Sequence, residues 1–215
     1  MEIGNTEVIQ MKFDKRMAEF VGIMLGDGYI NYPKQPRIKI AFNSIVDKEY
    51  FHLVDQLLID LFKTKVIKEH RKNENTSNLY MFERRIIRFI INEVGLIPSP
   101  KWERAKIPSW VFEERLERQV VRGYFDTDGC VVITNNNGII YPRLEMKVSP
   151  SPMQNQFITI LQKYEFRFGA YSIGKGKVRI QLNGMRELEK WNKIIGFTNP
   201  KHQRKCDLFL SLKSD

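Results

Sequence analysis

The chain has 215 residues, 42% of them hydrophobic, and 35 Lys and Arg against 25 Asp and Glu give it a formal charge of +10. Both halves share that excess, so it is not a basic tail, and a globular chain this basic points to a polyanionic partner, most commonly nucleic acid. The 12% aromatic content excludes wholesale disorder, and two cysteines (Cys130, Cys206) with three scattered histidines (His52, His70, His202) exclude a disulfide framework and a zinc centre.

No apolar run approaches the roughly 20 residues of a membrane span, and Met1 to Lys12 lacks the apolar core of a secretory signal. No membrane partner is expected, and the expected location is cytoplasmic and nucleoid-associated. An organelle-encoded origin is equally compatible. The chain also starts Met-Glu and ends Lys-Ser-Asp, without the terminal groups of a self-splicing intein, so that activity is not expected.

From the N-terminus, Met17, Phe20, Val21, Met24 and Leu25 carry the spacing of one helix face. Asp14 is placed to cap that helix, and Gly28 fits a left-handed position just past its end. Arg37 to Asn43 alternates, with Ile38, Ile40 and Phe42 on one side, as a strand with one buried face does. An amphipathic helix is predicted over 47–62, strands over 65–71 and 78–83, and a helix over 84–94.

The second half repeats this order. Val121-Arg122-Gly123-Tyr124-Phe125-Asp126-Thr127-Asp128-Gly129 shares its Gly, Asp and Gly with Phe20-Val21-Gly22-Ile23-Met24-Leu25-Gly26-Asp27-Gly28 at identical spacing. Gly129 takes the place of Gly28 at the helix end. Arg143 to Ser149 alternates as Arg37 to Asn43 does. A helix follows over 152–164, then strands over 168–173 and 177–183 joined by Gly174-Lys175-Gly176, then a helix over 184–195. Each copy closes on a helix-ending glycine and a Pro-Lys pair: Gly95 with Pro100-Lys101, and Gly196 with Pro200-Lys201, with Arg104 and Arg204 three residues further on.

The fold class is therefore α+β: two pseudo-symmetric αββαββα repeats, each with a four-stranded antiparallel sheet. The first repeat covers 1–97, a linker 98–111, and the second repeat with a C-terminal tail 112–215. Trp102, Trp110 and Trp191 are expected to pack under the linker and the final helix. Leu208, Leu210 and Leu212 in the tail are expected to dock on the core.

Gly22 and Gly123 fall mid-helix, where glycine costs about 1 kcal/mol relative to alanine. Two such glycines at equivalent positions imply a close crossing of the two helices. That crossing brings Asp27 and Asp128 together at the helix C-termini, where a carboxylate is disfavoured and two repel each other. Divalent cations resolve the conflict. Mg²⁺ takes one or two protein carboxylates and completes its shell with phosphate and water, and metals so held assist phosphodiester hydrolysis.

These two nonamers, with the strand-strand-helix order after each, resemble the paired signature of the LAGLIDADG homing endonucleases in their single-chain form. The resemblance covers roughly 14–205. It implies a DNA-binding saddle formed by the two sheets and metal-dependent double-strand cleavage of a long, asymmetric site in intron or intein-type homing. The cofactor implied is Mg²⁺ or Mn²⁺, with Ca²⁺ supporting binding without cleavage. The family's eighth-position acid matches Asp27 and Asp128, the carbonyls before it match Gly26 and Thr127, and the basic residue after the third helix matches Lys101 and Lys201. The sixth position holds Leu25 in the first copy and Asp126 in the second. It is not a metal ligand in the family, so little catalytic effect is expected from the difference.

The partner expected is double-stranded DNA, bound by a monomer. Arg37, Lys39, Asn43, Arg143, Glu145, Lys147, Ser149, Lys177, Arg179, Gln181 and Asn183 project from the polar strand faces, with Lys65 in the stretch after the second helix. Such side chains read bases in the major groove. Lys39 against Glu145 makes the halves unequal, which predicts an asymmetric target. Lys63, Lys68, Arg71, Lys72 and Lys175 are expected on phosphates. Asn43, Ser44 and Ser149 are also placed to position water. The alternatives are an intron RNA maturase of the same fold and a DNA-binding protein that does not cleave. The second is disfavoured by the presence of both acids.

Overall fold

A computed structural model describes residues 12–137 and 139–211. Helix α1 (Lys15–Leu25) starts where Asp14 Oδ1 accepts the backbone N–H groups of Arg16 and Met17 at 2.9 and 3.1 Å. After it come β1 (Gly28–Asn31), β2 (Arg37–Asn43), α2 (Lys48–Phe62), β3 (Ile67–Arg71), β4 (Thr76–Met81) and α3 (Arg84–Asn92). A short helix, α4 (Ser109–Glu113), leads into the second repeat. That repeat runs α5 (Glu117–Asp128), β5 (Gly129–Asn136), β6 (Ile139–Val148), α6 (Met153–Lys163), β7 (Gly169–Ser172), β8 (Val178–Asn183), α7 (Met185–Ile194), with α8 (Pro200–Ser211) after it.

Two four-stranded antiparallel sheets result, in the orders β1-β2-β4-β3 and β5-β6-β8-β7. Each buries one face under its own helix. Ile38, Ile40, Phe42, Leu79 and Met81 meet Phe51, Val54, Leu58 and Phe62 of α2, while Leu144, Met146, Val148, Ile180 and Leu182 meet Phe157, Ile160 and Leu161 of α6. Burying an aliphatic or aromatic side chain of this size contributes roughly 1.5–3 kcal/mol. Tyr29, Arg37, Lys39, Thr76 and Tyr80 point away from the first core, as Arg143, Glu145, Arg179 and Gln181 do from the second.

Three expectations are corrected. Gly28 and Gly129 are not left-handed; they open the strands β1 and β5, which the sequence reading did not place, and Gly129 is extended at φ −97°. Glycine is needed there for space: a Cβ at Gly28 would sit 2.5 Å from Met24 Cα, and one at Gly129 would sit 2.5 Å from the Phe125 ring. Strand β4 starts at Thr76, not 78, because Arg71 pairs with Thr76 across the hairpin, and the polar Ser77 hides the alternation. The tail is helical. It buries His202, Cys206 and Phe209 at helical spacing; of the three leucines Leu210 packs against the core as expected, Leu208 is exposed, and Leu212 lies outside the described residues.

The 98–111 stretch is anchored to both repeats. Ser99 exchanges hydrogen bonds with the backbone of Ile30, and Gln156 of α6 does so with Ile107. Trp191 is fully buried among Phe125, Phe166 and Phe197, and Trp110 donates to the Val94 carbonyl. Trp102 departs from the expectation: it is 42% exposed, with the Lys177 ammonium 5.4 Å from its ring centroid.

His202 makes the fold acid-sensitive. It is 1% exposed, neither ring nitrogen has a hydrogen-bond partner among the described residues, and Phe125 lies against its ring at 5.3 Å. Burial, reinforced by the charges of Lys201 and Lys205, lowers its pKa to about 3. The unfolded chain therefore binds a proton that the folded chain resists. The contribution of His202 to stability is full above about pH 6.5 and is lost as pH falls toward 3, by an amount on the order of 3 kcal/mol. Urea titrations from pH 7 to pH 4 should show the wild type losing stability relative to His202→Leu as pH falls. Equal slopes would remove His202 as the cause.

Candidate metal and nucleic-acid site

Helices α1 and α5 cross at their glycines. A Cβ on Gly22 would stand 2.2 Å from the Val120 carbonyl oxygen, and one on Gly123 would stand 2.3 Å from that of Glu19. The backbones are thus in direct contact, and the contacts are equivalent in the two repeats. An ion pair pins the crossing: Arg122 Nη2 donates to Glu19 Oε2 at 2.6 Å.

The same geometry joins the helix C-termini. A Cβ on Gly26 would lie 2.1 Å from Thr127 Oγ1 and 3.1 Å from Asp128 Oδ2. Asp27 opens into one cleft with Tyr29, Ser99 and Lys101, and Asp128 into an adjoining one with Lys101, Trp102, Lys147, Ser149 and Lys177. Gly26 and Lys101 form the wall between them.

Lys101 is the electrostatic keystone of this wall. Its Nζ donates to the carbonyls of Met24, Leu25 and Gly26 at 2.7, 2.9 and 2.7 Å. A cation is favourable at the negative end of a helix, and this one also faces both carboxylates. Burial lowers its pKa to about 8, against the opposing pull of Asp128 and Asp27. The Gly26 carbonyl, expected as a metal ligand, is therefore already engaged by the ammonium. Thr127 turns its hydroxyl back onto the Gly123 and Tyr124 carbonyls.

Both carboxylates are accessible by surface area, yet the crowded clefts withhold hydration from them. Crowding raises Asp27, against Lys101 and Lys201 and together with Asp47. It also raises Asp128, with the charge of Asp27 adding to the effect, to about 7. The described residues give neither carboxylate a hydrogen bond or a salt bridge. Such a pair calls for added positive charge. Among the described residues no three His, Cys, Asp or Glu cluster as a complete metal site. Two carboxylates alone suit Mg²⁺ or Mn²⁺ completed by phosphate and water, rather than an all-protein cage.

The expected DNA-contacting residues fall into three groups. Arg37, Lys39, Arg143, Glu145, Lys147, Arg179, Gln181 and Asn183 lie on the sheet faces away from the cores. Several are already oriented there: Arg37 sits 5.9 Å from the Tyr29 ring centroid, Arg179 sits 5.8 Å from that of Tyr171, Arg143 pairs with Glu145 at 3.2 Å, and Gln181 donates to Asn183. Ser149, Lys147 and Lys177 line the Asp128 cleft. Lys175 sits at the β7–β8 hairpin tip with φ 51°, Lys65 lies in the connection before β3, and Lys72 lies in the β3–β4 turn.

The third group has structural partners. Asn43 Oδ1 accepts the Ile45 and Val46 N–H groups, closing the turn before α2, and Ser44 lines a separate small cleft with His52, His70 and Ser77. Arg71 is held by Glu69 and Glu74. Lys68 points toward the helix side of β3 and pairs with Asp55 at 2.5 Å, away from the polar sheet face, so the expected phosphate contact is corrected. Sequence reading missed Tyr29, Glu69, Asn78 and Tyr80 on the polar face. Glu69 Oε2 accepts from Asn78, Tyr80 and Arg71 at 2.6, 3.0 and 3.3 Å. The signal is the alternation Thr76, Asn78, Tyr80, which a strand starting at 78 truncates.

No family model matches the chain. The replication factor C small subunit of Methanocaldococcus jannaschii is 28% identical over 119 residues, which are 55% of this chain and 6% of that protein. The chain therefore spans a small part of that relative's length. Among solved structures, the LAGLIDADG meganuclease I-AabMI bound to uncleaved DNA aligns with a TM-score of 0.60 at 12% identity, over 92% of each chain. The homing endonuclease I-WcaI bound to its DNA recognition sequence aligns at 0.57 and 13% identity, over 90% of this chain and 86% of that one. I-DmoI in complex with DNA and Mn aligns at 0.52 and 16% identity, over 85% and 96%. The fold of this chain is that of the LAGLIDADG homing endonucleases.

Proposed function

We propose that the chain is a LAGLIDADG homing endonuclease. On this reading it is a monomer that makes a double-strand break in a long, asymmetric DNA target by metal-dependent phosphodiester hydrolysis, in the service of intron or intein-type homing. The observation that carries this reading is the pair of carboxylates, Asp27 and Asp128, to which the described residues give no hydrogen bond or salt bridge, at the touching ends of α1 and α5, between two sheets with basic polar faces.

Asp27 and Asp128 would hold Mg²⁺ or Mn²⁺, which lowers the pKa of a bound water and stabilises charge on the scissile phosphate. The chain's own residues supply the rest. Lys101 offsets the negative charge gathered at the centre and sets an ammonium in the wall between the clefts, and Lys201 adds its charge at Asp27. Arg37, Arg143, Arg179 and their neighbours read bases on the two half-sites. Glu145 stands where the first sheet has Lys39, which makes the two readings different, so one chain serves one asymmetric target.

The test is selection of cleavable sites from a randomised duplex library in Mg²⁺, with EDTA and Ca²⁺ controls. Cleavage in Mg²⁺, binding alone in Ca²⁺, and affinity that falls steeply with salt through counterion release are the expected results. No cleavage at any site, together with tight binding to intron RNA, would replace this reading with a maturase.

A further inference from the structure

Lys101 and Lys201 hold equivalent places in the two repeats, each after Gly and Pro at the close of a copy. The structure gives them different partners. Lys101 binds three backbone carbonyls. Lys201 Nζ instead reaches Asp47 Oδ1 at 2.6 Å, and Asp47 belongs to the other repeat, where it precedes α2.

Asp47 is itself held. Its side chain is 13% exposed, and the same Oδ1 accepts Asn199 Nδ2 at 2.9 Å. Asn199 is buried. Its Oδ1 accepts the Lys201 N–H at 3.1 Å, and its Nδ2 also reaches the Asp126 carbonyl at 3.0 Å. Asp126 Oδ2 in turn accepts the Thr198 N–H at 2.7 Å. The end of α5, the turn at 198–199, the first turn of α8 and the start of α2 are thus tied into one network that fixes the Lys201 ammonium.

The first repeat has no such device for Lys101. The residue before α6, in the place of Asp47, is Pro152, which offers no side-chain acceptor. The place of Asp126 is taken by Leu25. The sixth position of the nonamer, Leu25 in one copy and Asp126 in the other, is therefore one end of the clamp.

We infer that Asp47 is a positioning residue: across the repeat boundary it clamps Lys201 at the Asp27 side of the centre, so that the two strand cuts are made by chemically unequal sites. This rests on the endonuclease reading. A free lysine side chain samples many rotamers, and the clamp removes that freedom before DNA arrives. Asp47 acts through Lys201, and no contact of its own with the reacting phosphate is needed.

The test is a supercoiled plasmid carrying a selected target, with each strand end-labelled so that the two cuts are timed separately. Wild-type cutting of both strands is measured first; its absence overturns the endonuclease reading and this inference with it. In Asp47→Asn, which keeps an acceptor for Asn199, one strand should slow by about 10- to 100-fold while the other keeps its rate, so nicked circles accumulate. Lys201→Met should slow the same strand, the double variant should be no slower than Lys201→Met alone, and Asp47→Glu should recover part of the rate. Binding in Ca²⁺ and the melting temperature should stay near wild type. Equal slowing of both strands, wild-type rates on both, or slowing of a different strand from Lys201→Met would overturn the inference while leaving the endonuclease reading standing.

Discussion

On the endonuclease reading, replacing Asp27 or Asp128 with Asn should abolish double-strand cutting and leave DNA binding nearly intact. No linear plasmid should form, and the rate should fall by at least about 10²–10³-fold, the scale of losing one preorganised charge-stabilising group. Binding should survive because the reading groups sit on the sheets and the two acids face the centre. A second consequence separates this assignment from a structural one. Crowding and mutual repulsion penalise the ionised acids in the folded state. In EDTA, Asp128→Asn should therefore melt above the wild type. Mg²⁺ should raise the melting temperature of the wild type by mass action and leave that of the variant nearly unchanged. A variant that still linearises plasmid at the wild-type rate would remove that carboxylate from the site.

The largest effect on stability should come from two methyl groups. Gly22→Ala and Gly123→Ala each gain about 1 kcal/mol in helix propensity. Yet the added Cβ lands 2.2 or 2.3 Å from a carbonyl oxygen of the opposite helix. The neighbour is backbone, so no side chain can swing away, and α1 and α5 must separate along a core that includes Phe20, Val21, Val121 and Phe125. Overpacking of this kind costs about 3 kcal/mol or more, which overrides the propensity gain and lowers the melting temperature by roughly 6–12 °C for a chain of this size. Separation also carries Asp27 away from Asp128, so cutting should fall with stability. Thermal melts showing either variant as stable as the wild type would show that the helices do not cross at these glycines.

The duplication, the element order and the identity of the central residues were legible because they rest on local patterns. Helix α1 shows its buried face at helical spacing, and β2 shows its own by strict alternation. The two nonamers repeat Gly, Asp and Gly at the same spacing. What escaped notice had weak local signals. The four residues of β1 are too few to establish a period, and Ser77 on the core side of β4 breaks the alternation there. The tail shows an accidental alternation of leucines, whereas its helical face is made by His202, Cys206 and Phe209.

The positions of Asp27, Asp128, Lys101 and Lys201 in the sequence were enough to name them as a set, because duplication marks equivalent residues without reference to space. Their partners were not readable. That Lys101 turns onto three carbonyls while Lys201 crosses to Asp47 depends on contacts between residues 75 to 77 and 154 positions apart in the chain. Side-chain direction and burial set those contacts, and no local propensity encodes them. The sequence by itself determined two basic copies around a paired acid. Only tertiary packing decided that glycine contact joins the acids, and that the two copies, alike in pattern, hold their lysines in different ways.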